Sequence, residues 1–379
     1  LIRHYTSHHP YPSAKMSTMD LDSIITQDKD KQSPLYYAEY LGLDALPASQ
    51  QLRSSNPFTD EMLFIIVHQT YELWFKQILY ELDLVLRVFA QDTVDDNAGE
   101  TSLVVRKLQR IVTILEVLNQ QMGILETMTP MDFLEFRNFL FPASGFQSLQ
   151  FRLIEIKLGL RQEQRHKAAY YKSTREGALS MEDAAAITAA EAQPTLKQLI
   201  IKWAERTPFL AKELWSDYER QFPHGDQDHG FWDDYQHIYA DSLAPAEKKR
   251  LKDLQRVFYD EGLGDFSQQA IRAVLFIMLY RHLPLMELPY ELFAALIEID
   301  QLLSNWRYRH MMAARRMIGQ RIGTGGTSGA AYLEGALIQH YIFNELTEVT
   351  TFLVERSRLP QLPPAVMERM SFNPGNQAS

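Results

Sequence analysis

The hydrophobic positions of this chain recur at helical spacing along nearly its whole length. Leu, Met, Gln and Glu are common, and no convincing run of alternating β-branched residues is bounded by turn signals. The pattern therefore predicts an all-α protein. Over residues 59–89 the apolar side chains cover almost every face of the expected helix, which is typical of a helix at the centre of a bundle.

Start and stop signals predict where individual helices begin and end. Thr59 and Asp60 supply an N-cap and an acidic first turn for the helix that ends near residue 89. Thr129 supplies an N-cap for a helix with Pro130 in its first turn, which should stop near Pro142. Further helices are expected over residues 101–125, 147–162, 266–280, 290–318 and 331–353. The tail beyond residue 360 is predicted to be irregular.

Shifts in composition divide the chain into five segments. The first is a polar arm or a cloning remnant, the second and fourth are two parts of one helical core, the third is a mostly helical insertion richer in charge and loop residues, and the fifth is an irregular tail. Their predicted boundaries are 1–33, 34–164, 165–262, 263–355 and 356–379.

Composition narrows the classes of function. The 38 Lys and Arg against 48 Asp and Glu give a net charge of −10, which argues against non-specific binding to nucleic acid or to an anionic membrane. The chain has no Cys, so a bound metal must be held by His or carboxylate. No apolar stretch approaches the roughly 20 residues of a membrane span and no signal peptide is evident, which predicts a cytoplasmic location.

His310 lies on an apolar face of the helix expected over residues 290–318. Its neighbours at helical spacing are Leu303, Trp306, Ala313, Ala314 and Met317. The small alanines could accept a flat macrocycle while the imidazole donates a ring nitrogen to iron, as in haem proteins with a proximal His. The alternative is a core histidine satisfied by a hydrogen bond.

His68 lies among aromatic side chains of the helix expected over residues 59–89. Phe64, Tyr71, Glu72 and Phe75 share its face. An imidazole in such surroundings is well placed to hydrogen-bond an aromatic ligand. The alternative is a histidine satisfied by Glu72 one turn further on.

Arg137 shares a helix face with the apolar Phe133 and Leu140. An arginine on an otherwise apolar face usually needs an anion, and its planar fork suits a carboxylate. The alternative is an internal ion pair. The small residues that follow in 142–148 would let a ligand approach the backbone.

The loop 323–329 (GTGGTSG) is dense in glycine and hydroxyl groups, which suits either a lid around a polar ligand or a flexible connection between helices. It lacks the Gly-Lys-Ser/Thr of a phosphate loop, and the chain has no Gly-x-Ser-x-Gly elbow and no His-Glu-x-x-His helix. His224 and His229, with Asp226 and Asp228, could chelate a surface metal but match no zinc spacing.

Four long segments carry a resemblance to a known family. They are FIIVHQTYELWFKQILYELD at 64–83, LETMTPMDFLEFRNFLFPASGFQSLQFRLIEIK at 125–157, WAERTPFL at 203–210 and IDQLLSNWRYRHMMAARRMIGQRIGTGGTSG at 299–329. Together and in this order they resemble the tryptophan 2,3-dioxygenases, over most of the chain outside residues 1–33. The resemblance implies a large helical bundle that encloses a haem pocket.

The resemblance also implies roles for residues around a haem b whose active form is Fe²⁺. His310 corresponds to the proximal ligand of the iron, Trp306 lies near the haem, and Arg152 matches a propionate partner. His68 corresponds to the distal histidine that hydrogen-bonds the indole nitrogen of the substrate.

Further positions correspond to residues that bind L-tryptophan. Arg137 matches the arginine that pairs with the substrate carboxylate, and Thr324 matches the threonine that binds its ammonium group. The lining of the pocket corresponds to Phe64, Phe133, Leu140 and Ser144. Tyr37 and Tyr40 would come from a neighbouring subunit, which implies a homotetramer.

The implied reaction inserts both atoms of O₂ across the indole C2–C3 bond of L-tryptophan to give N-formylkynurenine, the first step of the kynurenine pathway. Some relatives of this scaffold insert a single oxygen atom into tryptophan or a methylated tryptophan and give an oxindole. Two other classes stay open from the residues alone: a helical binding module without catalysis, and a non-haem metal hydrolase with metal at His224 and His229.

Overall fold

A computed structural model describes residues 35–56, 59–94, 99–161, 179–207, 211–219, 221–222, 230–319, 321 and 341–370. These ranges contain helices and turns and no β-sheet, so the all-α prediction is confirmed. The α-helices are α1 (Tyr37–Leu41), α2 (Glu61–Phe89), α3 (Glu100–Leu125), α4 (Pro130–Phe136), α5 (Leu149–Leu158), α6 (Met181–Glu191), α7 (Leu196–Glu205), α8 (Gly230–Ser242), α9 (Arg250–Gln255), α10 (Gln268–Leu279), α11 (Pro284–Ile318), α12 (Asn344–Glu348) and α13 (Pro364–Met370).

The chain divides into two compact units, Leu1–Gln51 and Leu52–Ser379. Within the described part of the first unit, α1 buries none of its side chains. It ends at Leu41 and is capped by Gly42, whose φ of 61° is a left-handed conformation that favours glycine.

The second unit is built around α3, which packs against both α2 and α11. The Tyr71 hydroxyl of α2 donates to the Leu118 carbonyl at 3.0 Å, and the Gln121 amide of α3 donates to the Val67 carbonyl at 2.9 Å. Helices α2 and α11 do not pack closely against each other. The side chains that project between them therefore determine what lies in that space.

The described residues of the stretch 165–262 contribute to the same apolar core as the other described parts of the second unit. Helix α7 packs against α10 and α2, and Leu196, Ile200 and Ala204 of α7 are fully buried. Phe231 and Tyr235 of α8 belong to this core as well. None of the helices in the described ranges is long and apolar enough to cross a membrane.

The helix start at Thr129 is confirmed, and the one at Thr59 is wrong. Thr129 caps α4 in a capping box with Asp132, and Pro130 takes the first helical position. Helix α2 instead has Asp60 at its N-cap position without a side-chain cap, and Thr59 donates to the carbonyl of Asn56 at 3.3 Å. The first turn of α2 uses its Glu61 carboxylate to accept two upstream backbone N–H groups.

Three other helix limits differ from the sequence prediction. Helix α4 ends at Phe136 and continues as a 3₁₀ turn, Arg137–Leu140, short of Pro142. Helix α5 ends at Leu158, before the expected residue 162. Helix α11 begins at Pro284, six residues before the expected start at 290, and contains Pro289 in its second turn.

The continuous helix predicted over residues 331–353 is wrong. Residues 331–340 lie outside the described residues, and the chain at 341–343 is not helical. The backbone N–H groups of Ile342 and Phe343 donate to the Asp300 carboxylate of α11 instead of to helical carbonyls, at 2.9 and 2.5 Å. Helix α12 therefore begins only at residue 344.

The tail beyond residue 360 is not wholly irregular, which corrects another prediction. Helix α13 forms there, and its Val366 and Met370 are fully buried. These two side chains are four residues apart, the spacing at which one helix face enters a core. Two such positions are too few to give a visible period in the sequence.

Candidate functional site

The two histidines singled out in the sequence approach each other from separate helices. His68 lies on α2 and His310 on α11, and both side chains are half-buried. Burial and, second, the charge of His68 lower the pKa of His310 to about 4. The imidazoles are therefore close enough to interact electrostatically across the space between α2 and α11, which we call the candidate pocket.

His68 is held by its own helix. Its ring nitrogen Nδ1 lies 2.7 Å from the carbonyl oxygen of Phe64, which can only accept, so Nδ1–H donates. Burial lowers the pKa of His68, although this hydrogen bond and the charge of Glu72 oppose the effect. The neutral ring then presents Nε2 as an acceptor. The Glu72 carboxylate accepts a hydrogen bond from the side-chain amide of Gln150 at 2.8 Å.

Aromatic rings form the wall next to His68. The rings of Phe64 and His68 have centroids 4.0 Å apart, and Phe133 of α4 lies 5.9 Å from Phe64. The sequence analysis missed Phe136, which is fully buried and lies 5.6 Å from Phe64 and 5.4 Å from Phe133. Its position three residues after Phe133, on the same helix face, is the signal that could have identified it.

His310 is surrounded differently from His68. The Trp306 ring stacks on it with centroids 5.2 Å apart, and no hydrogen bond joins His310 to the part of the chain that the structure describes. With a pKa near 4 the ring is neutral at pH 7. It is therefore an uncharged imidazole with an available nitrogen, which is the form in which histidine ligates iron.

Trp306 is itself fixed by three rings that the sequence analysis did not assign to its surroundings. Phe151 of α5 lies 4.8 Å from it, and Tyr71 and Phe75 of α2 lie 5.9 and 6.1 Å from it at steep angles. Beside His310, Ala313 is buried. The apolar face expected around His310 therefore lies in the space between α2, α5 and α11.

The turn that follows α4 carries three of the predicted substrate residues. Arg137 begins the 3₁₀ turn that also contains Leu140, and Ser144 follows it; all three are half-buried. The Ser144 backbone N–H donates to the side chain of Gln147 at 3.1 Å. Helix α4 packs against α11, so this turn follows directly after a helix that contacts the helix of His310.

Arg152 lies on α5 and is 5% exposed. It follows Phe151, the ring that packs on Trp306. One turn further along α5, Glu155 forms a buried ion pair with Arg307 of α11 at 2.7 Å. The structure thus places a buried guanidinium on the helix whose Phe151 ring packs against Trp306.

Several predicted residues cannot be related to this pocket. Thr324 and the rest of the loop 323–329 lie outside the described residues, as do His224, His229 and their aspartates. No group of three His, Cys, Asp or Glu residues within the described ranges could hold a metal ion. Tyr37 and Tyr40 lie on α1 in the first unit and are 75% and 74% exposed.

Comparison with known proteins identifies the family. The model of the family described as tryptophan 2,3-dioxygenase matches residues 23–353. This chain is a member of the tryptophan 2,3-dioxygenase family. A relative in Bdellovibrio bacteriovorus named tryptophan 2,3-dioxygenase is 43% identical over 90% of this chain and 99% of its own length. The resemblance predicted from the four sequence segments is confirmed.

Other members of the family show how widely the similarity extends. The tryptophan 2,3-dioxygenase of Alteromonas mediterranea is 40% identical, over 91% of this chain and 99% of the relative. That of Dictyostelium discoideum is 38% identical, over 95% of this chain and 93% of the relative. The similarity therefore covers nearly the full length of bacterial and eukaryotic members.

Proposed function

We propose that this chain is a haem-dependent L-tryptophan 2,3-dioxygenase that produces N-formylkynurenine and begins the kynurenine pathway. One observation carries the proposal: His68 and His310 share a pocket in complementary states, one oriented by its own helix and the other neutral and without a hydrogen bond to any described residue. Membership of the family supports the same activity.

The α11 side of the pocket fits haem b. His310 would ligate the iron, Trp306 would pack beside it, and the buried Arg152 would face a propionate. Bound ferrous haem supplies the activation of the co-substrate O₂. The residues around it exclude water, because the rings of Phe75, Phe151 and Trp306 fill the adjoining space.

The substrate's charged ends require compensation when tryptophan leaves water. Arg137, on the turn after α4, would pair with the carboxylate through its planar fork. Thr324 would bind the ammonium group, as its counterpart does in the family. The indole would then lie against Phe64 and Phe133, whose rings already contact each other, with Leu140 and Ser144 closing the lining.

His68 orients the indole rather than deprotonating it. Its Nδ1–H is committed to the Phe64 carbonyl, so Nε2 can accept the indole N–H. Burial lowers the pKa of His68, which makes it a weaker base than a solvated imidazole. Because an indole N–H is a very weak acid, a hydrogen bond to Nε2 is the role that this chemistry supports.

The quaternary structure belongs to the same proposal. Tyr37 and Tyr40 would reach the pocket of a neighbouring subunit in a homotetramer, as their counterparts do in the family. Their exposure within the first unit supports a role at a surface that another subunit covers. We place the enzyme in the cytoplasm.

Mass spectrometry of the product tests the proposed reaction. The haem-loaded, reduced protein is given L-tryptophan and ¹⁸O₂. Two labelled atoms in N-formylkynurenine are the expected result. One labelled atom in an oxindole would overturn the dioxygenase in favour of the monooxygenase, and a protein that binds no haem and forms no product would favour a non-catalytic binding module.

A further inference from the structure

A buried ion pair joins two of the helices that carry the proposed haem residues. Arg307 Nη2 lies 2.7 Å from Glu155 Oε1, and the two residues are only 4% and 3% exposed. Taking two charges out of water costs about as much as their attraction returns, so such a pair is weak evidence for stability. Its best-attested use is to fix one packing arrangement in preference to others.

The position of the pair along each helix relates it to the pocket. On α11, Arg307 follows Trp306 directly and precedes His310 by one turn. On α5, Glu155 follows Arg152 by one turn. Residues three apart on a helix share a face, so a shift at the ion pair moves the neighbouring functional side chain by a similar amount.

The contacts between α5 and α11 are made by side chains. Helix α5 packs against α2 and α6, and α11 packs against α3, but α5 and α11 do not pack closely against each other. The Phe151 ring lies 4.8 Å from Trp306, and the Arg307 guanidinium lies 6.0 Å from the Phe151 ring. A ring contact tolerates sliding, whereas a hydrogen-bonded ion pair has a defined distance and direction.

We propose that Glu155 and Arg307 are positioning residues that set the register of α5 against α11, and so the placement of Arg152 relative to Trp306 and His310. The inference rests on the proposed function, because it concerns the haem that those residues would hold. Supporting residues behind direct ligands commonly govern how tightly a cofactor is held.

A second buried ion pair provides a matched control. Lys197 Nζ of α7 lies 2.8 Å from Glu345 Oε1 of α12, and both residues are buried. Lys197 also lies 2.7 Å from the Asp265 carboxylate, which keeps Arg161 as a second partner when Lys197 is replaced. Neither α7 nor α12 carries a residue assigned to haem or substrate. Replacing this pair measures what the loss of a buried ion pair does to the protein in general.

The experiment compares the double variants E155M/R307M and K197M/E345M with the parent protein. Haem release to excess apomyoglobin is followed by absorbance, together with the ferric EPR spectrum and the melting temperature of each apoprotein. We expect E155M/R307M to release haem about 10–100-fold faster, the range typical of lost supporting interactions, with an altered EPR spectrum. The K197M/E345M variant should release haem at the parent rate.

The outcomes separate this inference from the proposed function. A parent protein that takes up no haem would overturn the proposed function. A haem-loaded parent with E155M/R307M indistinguishable from it in release rate and EPR spectrum would overturn only the inference, as would an equal acceleration in both double variants. If E155M/R307M does not fold, R307K replaces it: faster release than the parent supports the inference, and parent-like release contradicts it.

Discussion

Helices α2 and α11 each carry one pocket histidine, and they hold it in opposite ways. On α2, the His68 ring donates to the Phe64 carbonyl one turn earlier. On α11, His310 stacks on Trp306 and forms no hydrogen bond with the described residues. The imidazole of His68 is thus oriented by a hydrogen bond, whereas that of His310 is left available to bind a ligand.

The two helices also differ in how they hold a buried carboxylate, and the pKa values of Glu81 and Asp300 show the difference. Burial raises the pKa of Glu81 on α2, but hydrogen bonds from Arg110 and Lys107 outweigh this and leave it below its usual value. On α11, burial raises the pKa of Asp300 to about 6 although two backbone N–H groups bind it. Glu81 of α2 is thus bound by side chains of the adjoining α3, whereas Asp300 of α11 is bound by backbone N–H groups of a segment about 40 residues further along the chain.

The largest test of this contrast is His310→Ala. Without its imidazole, α11 offers no ligand to the iron, and we expect stoichiometric haem uptake to be lost. A titration of apoprotein with haemin, followed at the Soret band, measures this. His68→Ala is the control and should still take up one haem per chain. Parent-like uptake by His310→Ala would contradict the assignment of the α11 side.

Arg137→Ala tests the substrate end of the pocket. Removing one partner of a buried charge pair should weaken tryptophan binding by roughly 2–5 kcal/mol, because the carboxylate is left without compensation. Spectral titration of the haem-loaded protein with tryptophan gives the dissociation constant. Haem uptake should not change, and Arg137→Lys should recover part of the affinity because the charge remains. Unchanged tryptophan affinity in Arg137→Ala would remove this residue from the site.

The Asp300→Asn variant tests whether the carboxylate of α11 makes the stability of the protein depend on pH. Because its folded pKa is raised to about 6, the stability that Asp300 contributes is complete below pH 4 and is lost as pH rises through 6. This shift in the pKa of Asp300 corresponds to at most about 3 kcal/mol in the free energy of unfolding. We expect the free energy of unfolding of Asp300→Asn, relative to the parent, to increase between pH 5 and 7 in denaturant titrations.

Glu81→Gln is the matched control for Asp300. The pKa of Glu81 is lowered, so its contribution is present above its usual titration range and is lost only as pH falls below that range. The difference from the parent should therefore be flat between pH 5 and 7. The same slope in both variants would show that the two carboxylates do not differ as described.

His68→Ala should have the smallest effect. It removes one hydrogen bond to the indole nitrogen, worth about 0.5–1.5 kcal/mol of tryptophan affinity. Tryptophan methylated at the indole nitrogen has no N–H to donate, so its affinity should be the same in parent and variant. An equal loss for both ligands would mean that His68 acts by packing and not by a hydrogen bond.

Features that depend on neighbouring residues were predictable from the sequence. The Thr129 N-cap, which depends on a backbone N–H only three residues away, forms as expected. The Thr59 cap did not form, because the Thr59 hydroxyl donates to the Asn56 carbonyl and Asp60 takes the N-cap position. The break before α12 was not predictable, because the carboxylate that causes it is Asp300, far along the chain on α11.

The candidate site shows the same limit. Residue patterns marked His68 and His310 as unusual but left structural alternatives open, and only the family resemblance paired them. Phe136 lies on the face that Phe133 already indicated, so its contact was within reach of the sequence. Glu155 and Arg307 carried no signal, because a charged residue in a helix is ordinarily solvated, and their contact exists only when α5 meets α11.

The position of α3 has a consequence for how the protein is made. Helices α2 and α3 are consecutive and are joined by hydrogen bonds at Tyr71 and Gln121, so this pair can form as soon as both segments leave the ribosome. His310 follows the end of α3 by about 185 residues, which corresponds to roughly 10–40 s of synthesis. We expect the nascent chain to carry the paired helices α2 and α3, with His68 in place, for that interval, and haem capture to be delayed until translation reaches α11.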